Sequence, residues 1–189
     1  MPHHLIFEGA ELSGKSWLMS QIYNCLEPKY NQSRSVLDGC HWFNCDVGVF
    51  GTEHGRGVIK GYLEIFKELK DHNLLVEKFF ISDLIYNHLH FGREVKYGAV
   101  KRKLKELGFK IVLVTFPEEE GLLKKRISDR LNIYPHYERI LREPAWYINQ
   151  QKEYRKEVEA SGLPFIAVKT QILPDYKPVE PILKWLGEK

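Results

Sequence analysis

The chain lacks any long hydrophobic segment. No stretch of its 189 residues approaches the roughly eighteen consecutive apolar residues of a membrane-spanning helix. Its first residues, MPHHLIFEG, also lack the charged and apolar regions of a signal peptide. These two absences argue against an integral membrane protein and against a secreted one. The sequence therefore predicts a cytoplasmic protein without a membrane partner.

Cysteine and net charge are both low. Cys25, Cys40 and Cys45 do not make an even set for a disulfide framework, and they suit a reducing compartment. The net charge of +3 falls short of the strong basic bias that is typical of general nucleic-acid-binding proteins. A site for phosphates would explain this small excess equally well. A nucleic-acid partner is therefore possible but not indicated.

Five short apolar runs predict buried parallel strands, because strands covered on both faces need continuous rather than alternating apolar residues. They lie at 5–7, 35–37, 74–76, 111–116 and 164–168. Helical spacing fills the gaps, at 15–26, 58–69, 99–107, 118–131, 145–160 and 181–186. Strands that alternate with helices indicate an α/β fold with a central parallel sheet, whose functional sites lie at the carboxyl ends of the strands. No linker divides the chain, so residues 1–189 are predicted to form one domain.

A phosphate-binding motif follows the first strand. Residues 9–16, GAELSGKS, fit the pattern G-x-x-x-x-G-K-[ST] without a mismatch, between a predicted strand and a predicted helix. Such a loop turns its backbone N–H groups toward a phosphate, while Lys15 supplies charge to the β- and γ-phosphates and the Ser16 hydroxyl ligates Mg²⁺. ATP and Mg²⁺ are thus the predicted cofactors. The predicted nucleotide-binding residues are Gly9, Ala10, Glu11, Leu12, Ser13, Gly14, Lys15, Ser16 and Leu18.

Charge appears abruptly where the third predicted strand ends, at Glu77 and Lys78. That edge of the sheet faces the phosphate loop. A carboxylate there could accept a hydroxyl proton, help to hold Mg²⁺ or orient an acceptor, and Lys78 could neutralise phosphate charge. The alternative is that the strand simply ends at the surface.

These motifs together resemble the thymidylate kinase and deoxynucleoside kinase group of P-loop kinases. FEGAELSGKS is similar to the group's F-E-G-x-D/E-x-x-G-K-S/T, and EKFFIS is similar to its acid-base-aromatic-x-x-Ser motif after the third strand. The resemblance implies a three-layer P-loop NTPase fold, with a central five-stranded parallel sheet flanked by helices. It also implies that Glu77 activates the acceptor hydroxyl. Lys78 replaces the usual arginine, so it keeps the charge but loses the bidentate geometry.

The segment VLVTFPEEEGLLKKRISDRL resembles the fourth strand of these kinases and the start of their basic lid, here around residues 121–143. By this resemblance Arg126 and Arg130 close over the transferred phosphoryl group and stabilise its charge. The predicted catalytic residues are Lys15, Glu77, Arg126 and Arg130, and the predicted metal ligands are Ser16 and Glu77. The alternative is a solvated basic helix face.

One departure from the group concerns the acceptor. Both kinase types carry a Glu-Pro element after the second strand, whereas this chain has a loop rich in glycine, histidine and aromatic residues at 38–57. Aromatic faces in such a loop could stack on a nucleobase. The predicted acceptor contacts are Trp42, Phe43, Arg56, Glu77, Lys78 and Arg93.

The sequence thus predicts a Mg²⁺- and ATP-dependent kinase whose acceptor is a small nucleoside or nucleoside monophosphate. Two alternatives stay open. The same fold could phosphorylate a nucleic acid or another small hydroxyl compound, or the chain could be a non-catalytic NTP-binding regulatory module. The resemblance also implies that a homodimer is possible, although no residue of the chain indicates one.

Overall fold

The computed structural model describes residues 2–188. Five strands alternate with seven α-helices in this part of the chain, and one short 3₁₀-helix lies before α6. The strands are β1 (His4–Glu8), β2 (Cys40–Asn44), β3 (Asn73–Glu77), β4 (Lys110–Thr115) and β5 (Phe165–Lys169). The α-helices are α1 (Lys15–Tyr30), α2 (Gly55–Glu68), α3 (Phe80–Phe91), α4 (Gly98–Glu106), α5 (Glu120–Ile133), α6 (Pro144–Glu159) and α7 (Val179–Leu186); the 3₁₀-helix is Pro135–Ile140.

All five strands are parallel, in the order β2-β3-β1-β4-β5. The central position of β1 decides where the site lies. Phe7 of β1 pairs with Glu77 of β3, and Glu8 pairs with Leu113 of β4. The loop after Glu8 therefore emerges between the ends of β3 and β4, at the carboxyl edge of the sheet.

Helices cover both faces of the sheet, because successive side chains of each strand point to opposite sides. On one face Ile6 of β1 packs in a core with residues of α2, α3, α4, α5 and α6. On the other face Leu5 and Phe7 pack with residues of α1 and α7. Both cores are almost completely closed to water. The result is the three-layer α/β arrangement that the sequence predicts.

The predicted position of the second strand is wrong. Val36 and Leu37 lie in an irregular segment and are 62% and 70% exposed. The strand is instead β2, which pairs with β3 over its whole length. Because β2 lies at the edge of the sheet, only Cys40 is buried, and its other four residues are half-buried or exposed. It therefore has no continuous apolar run.

Most predicted helices lie within a few residues of the observed ones, since their apolar spacing and glycine ends are local signals. Helix α3 and the 3₁₀-helix were not predicted. In residues 2–188 no helix combines the length and apolar character needed to cross a membrane.

Candidate active site

The loop between β1 and α1 has the backbone conformation of a phosphate loop. Gly9, Leu12 and Gly14 have positive φ angles of 146°, 66° and 83°. A Cβ atom on Gly9 would lie 2.2 Å from the carbonyl oxygen of Val114 in β4, so only glycine fits there. Gly14 then starts α1, whose N-terminal N–H groups face the same space.

Lys15 lies inside this loop. Its side chain is buried, and Nζ donates hydrogen bonds to the carbonyl oxygens of Gly9 (2.7 Å) and Ala10 (2.8 Å). Burial, together with repulsion by Lys78, lowers the pKa of Lys15 to about 8, against the attraction of Glu77. An anion in the loop would face an ammonium group that already lacks most of its hydration. The loop is therefore prepared for phosphate by backbone geometry and by charge.

Ser16 and Glu77 meet at the mouth of the loop. The Ser16 hydroxyl donates a 2.5 Å hydrogen bond to Glu77 Oε1, and the Glu77 residue is 6% exposed. Mg²⁺ prefers oxygen ligands and usually takes only one or two protein groups beside phosphate and water. This hydroxyl and carboxylate fit that requirement, because they are in contact with each other and line the same cavity as Lys15.

A buried carboxylate joins β1 to α3. Glu8 is completely buried and accepts hydrogen bonds from the backbone N–H groups of Phe79 (2.9 Å) and Ser82 (3.4 Å), and from the Ser82 hydroxyl (2.6 Å). Burial raises the pKa of Glu8, although these donors and Lys15 oppose the change. Since Glu8 immediately precedes Gly9, this contact fixes the start of α3 relative to the phosphate loop.

Lys78 turns out of β3 in a left-handed conformation, with φ of 55°. Its Nζ donates hydrogen bonds to Asp46 Oδ2 at 2.6 Å and to the Tyr86 hydroxyl at 3.1 Å. Burial lowers the pKa of Lys78, but Asp46, Tyr154 and Glu11 together oppose it, and the net result is a raised pKa. The Tyr86 hydroxyl also donates to Glu11 Oε1 at 3.4 Å. Lys78 is therefore held as a cation among groups from β3, the β2–α2 loop, α3 and the phosphate loop.

Arg126 of α5 is buried and is fixed by backbone carbonyl groups. Its guanidinium donates to the carbonyl oxygens of Leu12 (2.7 Å), Thr170 (3.0 Å) and Gln171 (2.5 Å). Burial lowers the pKa of Arg126 to about 10. It thus ties α5 to the phosphate loop and to the segment after β5. Arg130, one turn later, is more open, and its guanidinium lies 4.2 Å from the centre of the Tyr137 ring.

A single cavity of about 1600 Å³ connects these groups. Its walls come from the phosphate loop, the β2–α2 loop, α3, the α5–α6 segment and the segment after β5. The predicted site residues that line it are Glu11, Leu12, Gly14, Lys15, Ser16, Glu77, Lys78, Arg126 and Arg130. The motifs at residues 9–16, 77–78 and 126–130 thus meet in one place.

Four predicted nucleotide-binding residues, Gly9, Ala10, Ser13 and Leu18, do not line the cavity. Ala10, Ser13 and Leu18 are fully buried, and the Leu18 side chain packs in the core between the sheet and α1 instead of facing a nucleotide. Gly9 contributes its backbone to the loop and contacts Lys15. The structure therefore assigns these side chains to the support of the loop.

Four predicted acceptor residues do not line the cavity. The Phe43 ring packs against Phe66, at 5.3 Å, and the Trp42 ring lies 6.0 Å from Tyr23 on the opposite face of β2. Arg56 interacts with Tyr97, and Arg93 lies over the Phe91 ring. The sequence predicts a loop at residues 38–57, whereas Trp42 and Phe43 lie in β2, which turns them to opposite faces of the sheet.

The wall of the cavity that comes from the β2–α2 loop, α3 and α6 has residues that were not predicted as contacts. Asp46 lies two residues after β2, and the rings of Tyr86, His90 and Trp146 form a continuous row, with 5.6 Å between neighbouring centres. Tyr86 and His90 are four residues apart on α3. That spacing was the available signal, and it becomes informative only once α3 is known to be a helix.

No family model matches the chain, and no curated protein matches its sequence. Solved structures do match it. YorR from Bacillus subtilis, solved in complex with phosphorylated GDP, superposes with a TM-score of 0.67 and 17% identity over 97% of this chain and 95% of its own. Deoxyadenosine kinase from M. mycoides, solved with the products dCMP and dCDP, superposes with a TM-score of 0.55 and 14% identity over 97% of this chain and 98% of its own.

Shikimate kinase from Acinetobacter baumannii, solved with shikimate, gives a TM-score of 0.55 and 12% identity over 98% of this chain and 93% of its own. Identities this low establish a common fold and nothing finer. The coverage is nearly complete in both directions for all three structures. The chain therefore has the P-loop kinase fold, as its first motif and its strand pattern predict.

Proposed function

We propose that this protein is a Mg²⁺- and ATP-dependent kinase that transfers the γ-phosphoryl group to a hydroxyl of a nucleoside or nucleoside monophosphate. One observation carries the proposal. A single cavity has a phosphate loop with its lysine at one side and a row of aromatic rings at the other. Its volume of about 1600 Å³ exceeds the roughly 300–1,000 Å³ of a site for one small ligand, so it has room for a donor and an acceptor.

The donor side is formed by the phosphate loop and the segment after β5. Trp17 and residues 171–174 line the cavity beside Gly14, and Leu173 packs directly against this glycine. In the kinases that the chain resembles, the ATP base commonly rests on the loop after the fifth strand. We therefore place the adenine there, with its phosphates against the α1 N-terminus and Lys15.

The acceptor side favours a flat ring. Tyr86, His90 and Trp146 offer aromatic faces, to which Phe50 and Phe91 add apolar surface. Stacking on such surfaces requires only a planar π system, which every nucleobase has. The deoxyadenosine kinase of the same fold supports this choice, whereas the shikimate kinase shows that the fold also accepts a small alcohol.

Phosphoryl transfer depends more on the positioning of the two substrates and on neutralisation of phosphate charge than on covalent catalysis. Ser16 and Glu77 would hold Mg²⁺, which supplies charge neutralisation on the phosphates when bound. The 2.5 Å contact between these two residues supports a metal-binding role for Glu77 over the predicted activation of the acceptor hydroxyl. Lys15 binds the donor phosphates, and Arg130, which is not fixed by carbonyl groups as Arg126 is, can reach the transferred group from the lid.

Three further properties belong to the proposal. We expect residues 1–189 to act as one domain whose lid is the segment around 121–143, and the protein to work in the cytoplasm. The three cysteines are all unpaired in the structure, which agrees with a reducing compartment. A homodimer is expected from the resemblance alone, and gel filtration with light scattering would test it.

The experiment that tests the proposal measures ADP release from ATP and Mg²⁺ with a panel of acceptors. The panel contains nucleosides, their 5′-monophosphates, short oligonucleotides and shikimate. We expect ADP release that depends on a nucleoside or a monophosphate, with the phosphorylated product identified by mass spectrometry. ATP binding without turnover on any of these acceptors would refute a nucleoside or nucleotide kinase, and it would favour a regulatory NTP-binding module or a different small hydroxyl acceptor.

A further inference from the structure

Lys78 directly follows β3 on the proposed acceptor side of the cavity, and acidic side chains lie near its ammonium group. Asp46 Oδ2 lies 2.6 Å from its Nζ, and Glu11 is reached through the Tyr86 hydroxyl, by contacts of 3.1 and 3.4 Å. Asp46, Lys78, Tyr86 and Glu11 all line the cavity. We call these four residues the acceptor floor.

The acceptor floor has more negative than positive charge. Asp46 and Glu11 contribute two carboxylates against the one ammonium group of Lys78. The Lys78 Nζ lies 2.6 Å from Asp46 Oδ2, and the pKa of Lys78 is raised, because Asp46 together with Tyr154 and Glu11 opposes the effect of burial. Both members of the pair remain accessible from the cavity, with 21% of the Lys78 side chain and 14% of the Asp46 side chain exposed.

Asp46 can also accept further hydrogen bonds from a ligand. Its Oδ2 accepts from Lys78, and its Oδ1 accepts a 3.2 Å hydrogen bond from the backbone N–H of Gly48. Each carboxylate oxygen can accept a second hydrogen bond. A neutral hydroxyl group can therefore donate to Asp46 without breaking the pair. A phosphate has no proton to donate when it is fully ionised, and it would meet Asp46 as a like charge.

We infer that the Asp46–Lys78 pair is the specificity determinant of the acceptor site, and that it selects an uncharged nucleoside over a nucleoside monophosphate. This inference rests on the proposed kinase function and narrows its acceptor. Lys78 is already paired with Asp46, so a phosphate that contacts Lys78 also meets the Asp46 carboxylate as a like charge. The free hydroxyl of a nucleoside satisfies Asp46 and lies beside the phosphate loop.

The test compares four deoxynucleosides with their 5′-monophosphates, in the wild-type protein and in Asp46→Asn. Asparagine keeps the shape of the side chain and its carbonyl acceptor but removes the charge. We expect the wild type to have a kcat/KM at least about tenfold higher for the best nucleoside than for its monophosphate, the size of effect that one like-charge contact commonly gives. In Asp46→Asn this ratio should fall by about tenfold or more, mainly through better use of the monophosphate.

Equilibrium binding makes the test independent of turnover. Calorimetry without ATP should show that Asp46→Asn binds the monophosphate at least about tenfold more tightly than the wild type does, because Lys78 is then free to pair with it. The double variant Asp46→Asn, Lys78→Met should lose this gain. Asp129→Asn is the matched control, since Asp129 lines the same cavity from the lid, and it should leave the ratio of the two affinities unchanged.

The outcomes separate the inference from the function on which it rests. A wild-type preference for the monophosphate, or an unchanged ratio in Asp46→Asn, would overturn the inference while the kinase stands. A preference for the monophosphate would point instead to lid arginines such as Arg139 and Arg142, which line the same cavity. If no nucleoside and no monophosphate is bound or phosphorylated, the proposed function fails and the inference fails with it.

Discussion

The Ser16 hydroxyl donates a 2.5 Å hydrogen bond to Glu77 Oε1. This contact joins the first turn of α1 to the last residue of β3, although the two residues are 61 positions apart in the sequence. It exists because β3 lies directly beside β1 in the sheet, so that the end of one strand faces the loop that follows the other. The carboxylate is thereby directed toward the phosphate loop.

Replacement of Glu77 by glutamine should abolish phosphoryl transfer while nucleotide binding persists. We expect kcat to fall by about 100-fold or more, because the amide is a poor ligand for the Mg²⁺ that would neutralise charge on the transferred phosphoryl group. Calorimetry should show ADP affinity within about threefold of the wild type, since the phosphate loop is intact.

Ser16→Ala is the partner variant for Glu77→Gln. If both residues serve one metal site, the double variant should lose little more activity than either single variant. Additive losses, or a Glu77→Gln protein with wild-type kcat, would contradict the shared role.

The affinity for ATP should fall as the pH rises through about 8. Burial holds the pKa of Lys15 near 8 in the nucleotide-free protein, and phosphate binding favours the charged form. The favourable charge interaction is therefore fully present below pH 8 and declines above it, so Kd should increase by about tenfold from pH 7 to pH 9. Calorimetry across this range measures the effect.

Lys125→Met is the matched control for this pH dependence, because Lys125 lines the cavity from the lid rather than from the phosphate loop. It should show the same pH dependence as the wild type. A Kd that stays constant between pH 7 and pH 9 would show that Lys15 does not titrate in this range.

The donor half of the site could be predicted from the sequence because its signals are local. The spacing of Gly9, Gly14 and Lys15 encodes one backbone shape, and the same loop contains all three residues. Glu77 was predicted as a site residue because the apolar run at 74–76 ends abruptly at this charged residue. Neither conclusion needed knowledge of which strands are neighbours.

The acceptor half could not be predicted in this way, because it depends on tertiary contacts. Trp42 and Phe43 are adjacent and aromatic, yet β2 turns them to opposite faces of the sheet and away from the cavity. Asp46 has no sequence motif and gains its place only because β2 pairs with β3. Arg126 matched a lid pattern, but its burial against carbonyl groups is a property of the folded chain.

Arg126→Ala should destabilise the protein. The guanidinium satisfies carbonyl groups of Leu12, Thr170 and Gln171, and its removal leaves buried acceptors without partners. We expect the free energy of unfolding to fall by about 2–4 kcal/mol, measured by urea denaturation. A loss below about 0.5 kcal/mol would indicate that water replaces the guanidinium and that α5 needs no such anchor.

Arg130→Ala should have the opposite effect to Arg126→Ala: it should leave the stability of the protein unchanged and impair catalysis. Arg130 contacts the Tyr137 ring and lines the cavity, without the carbonyl contacts that fix Arg126. If it stabilises the transferred phosphoryl group, kcat should fall by about 100-fold or more, while the free energy of unfolding changes by less than about 0.5 kcal/mol. Arg155→Ala, on the exposed face of α6, is the control for the loss of a positive charge and should keep the wild-type kcat. If Arg130→Ala keeps the wild-type kcat, other residues of the lid must stabilise the charge on the transferred phosphoryl group.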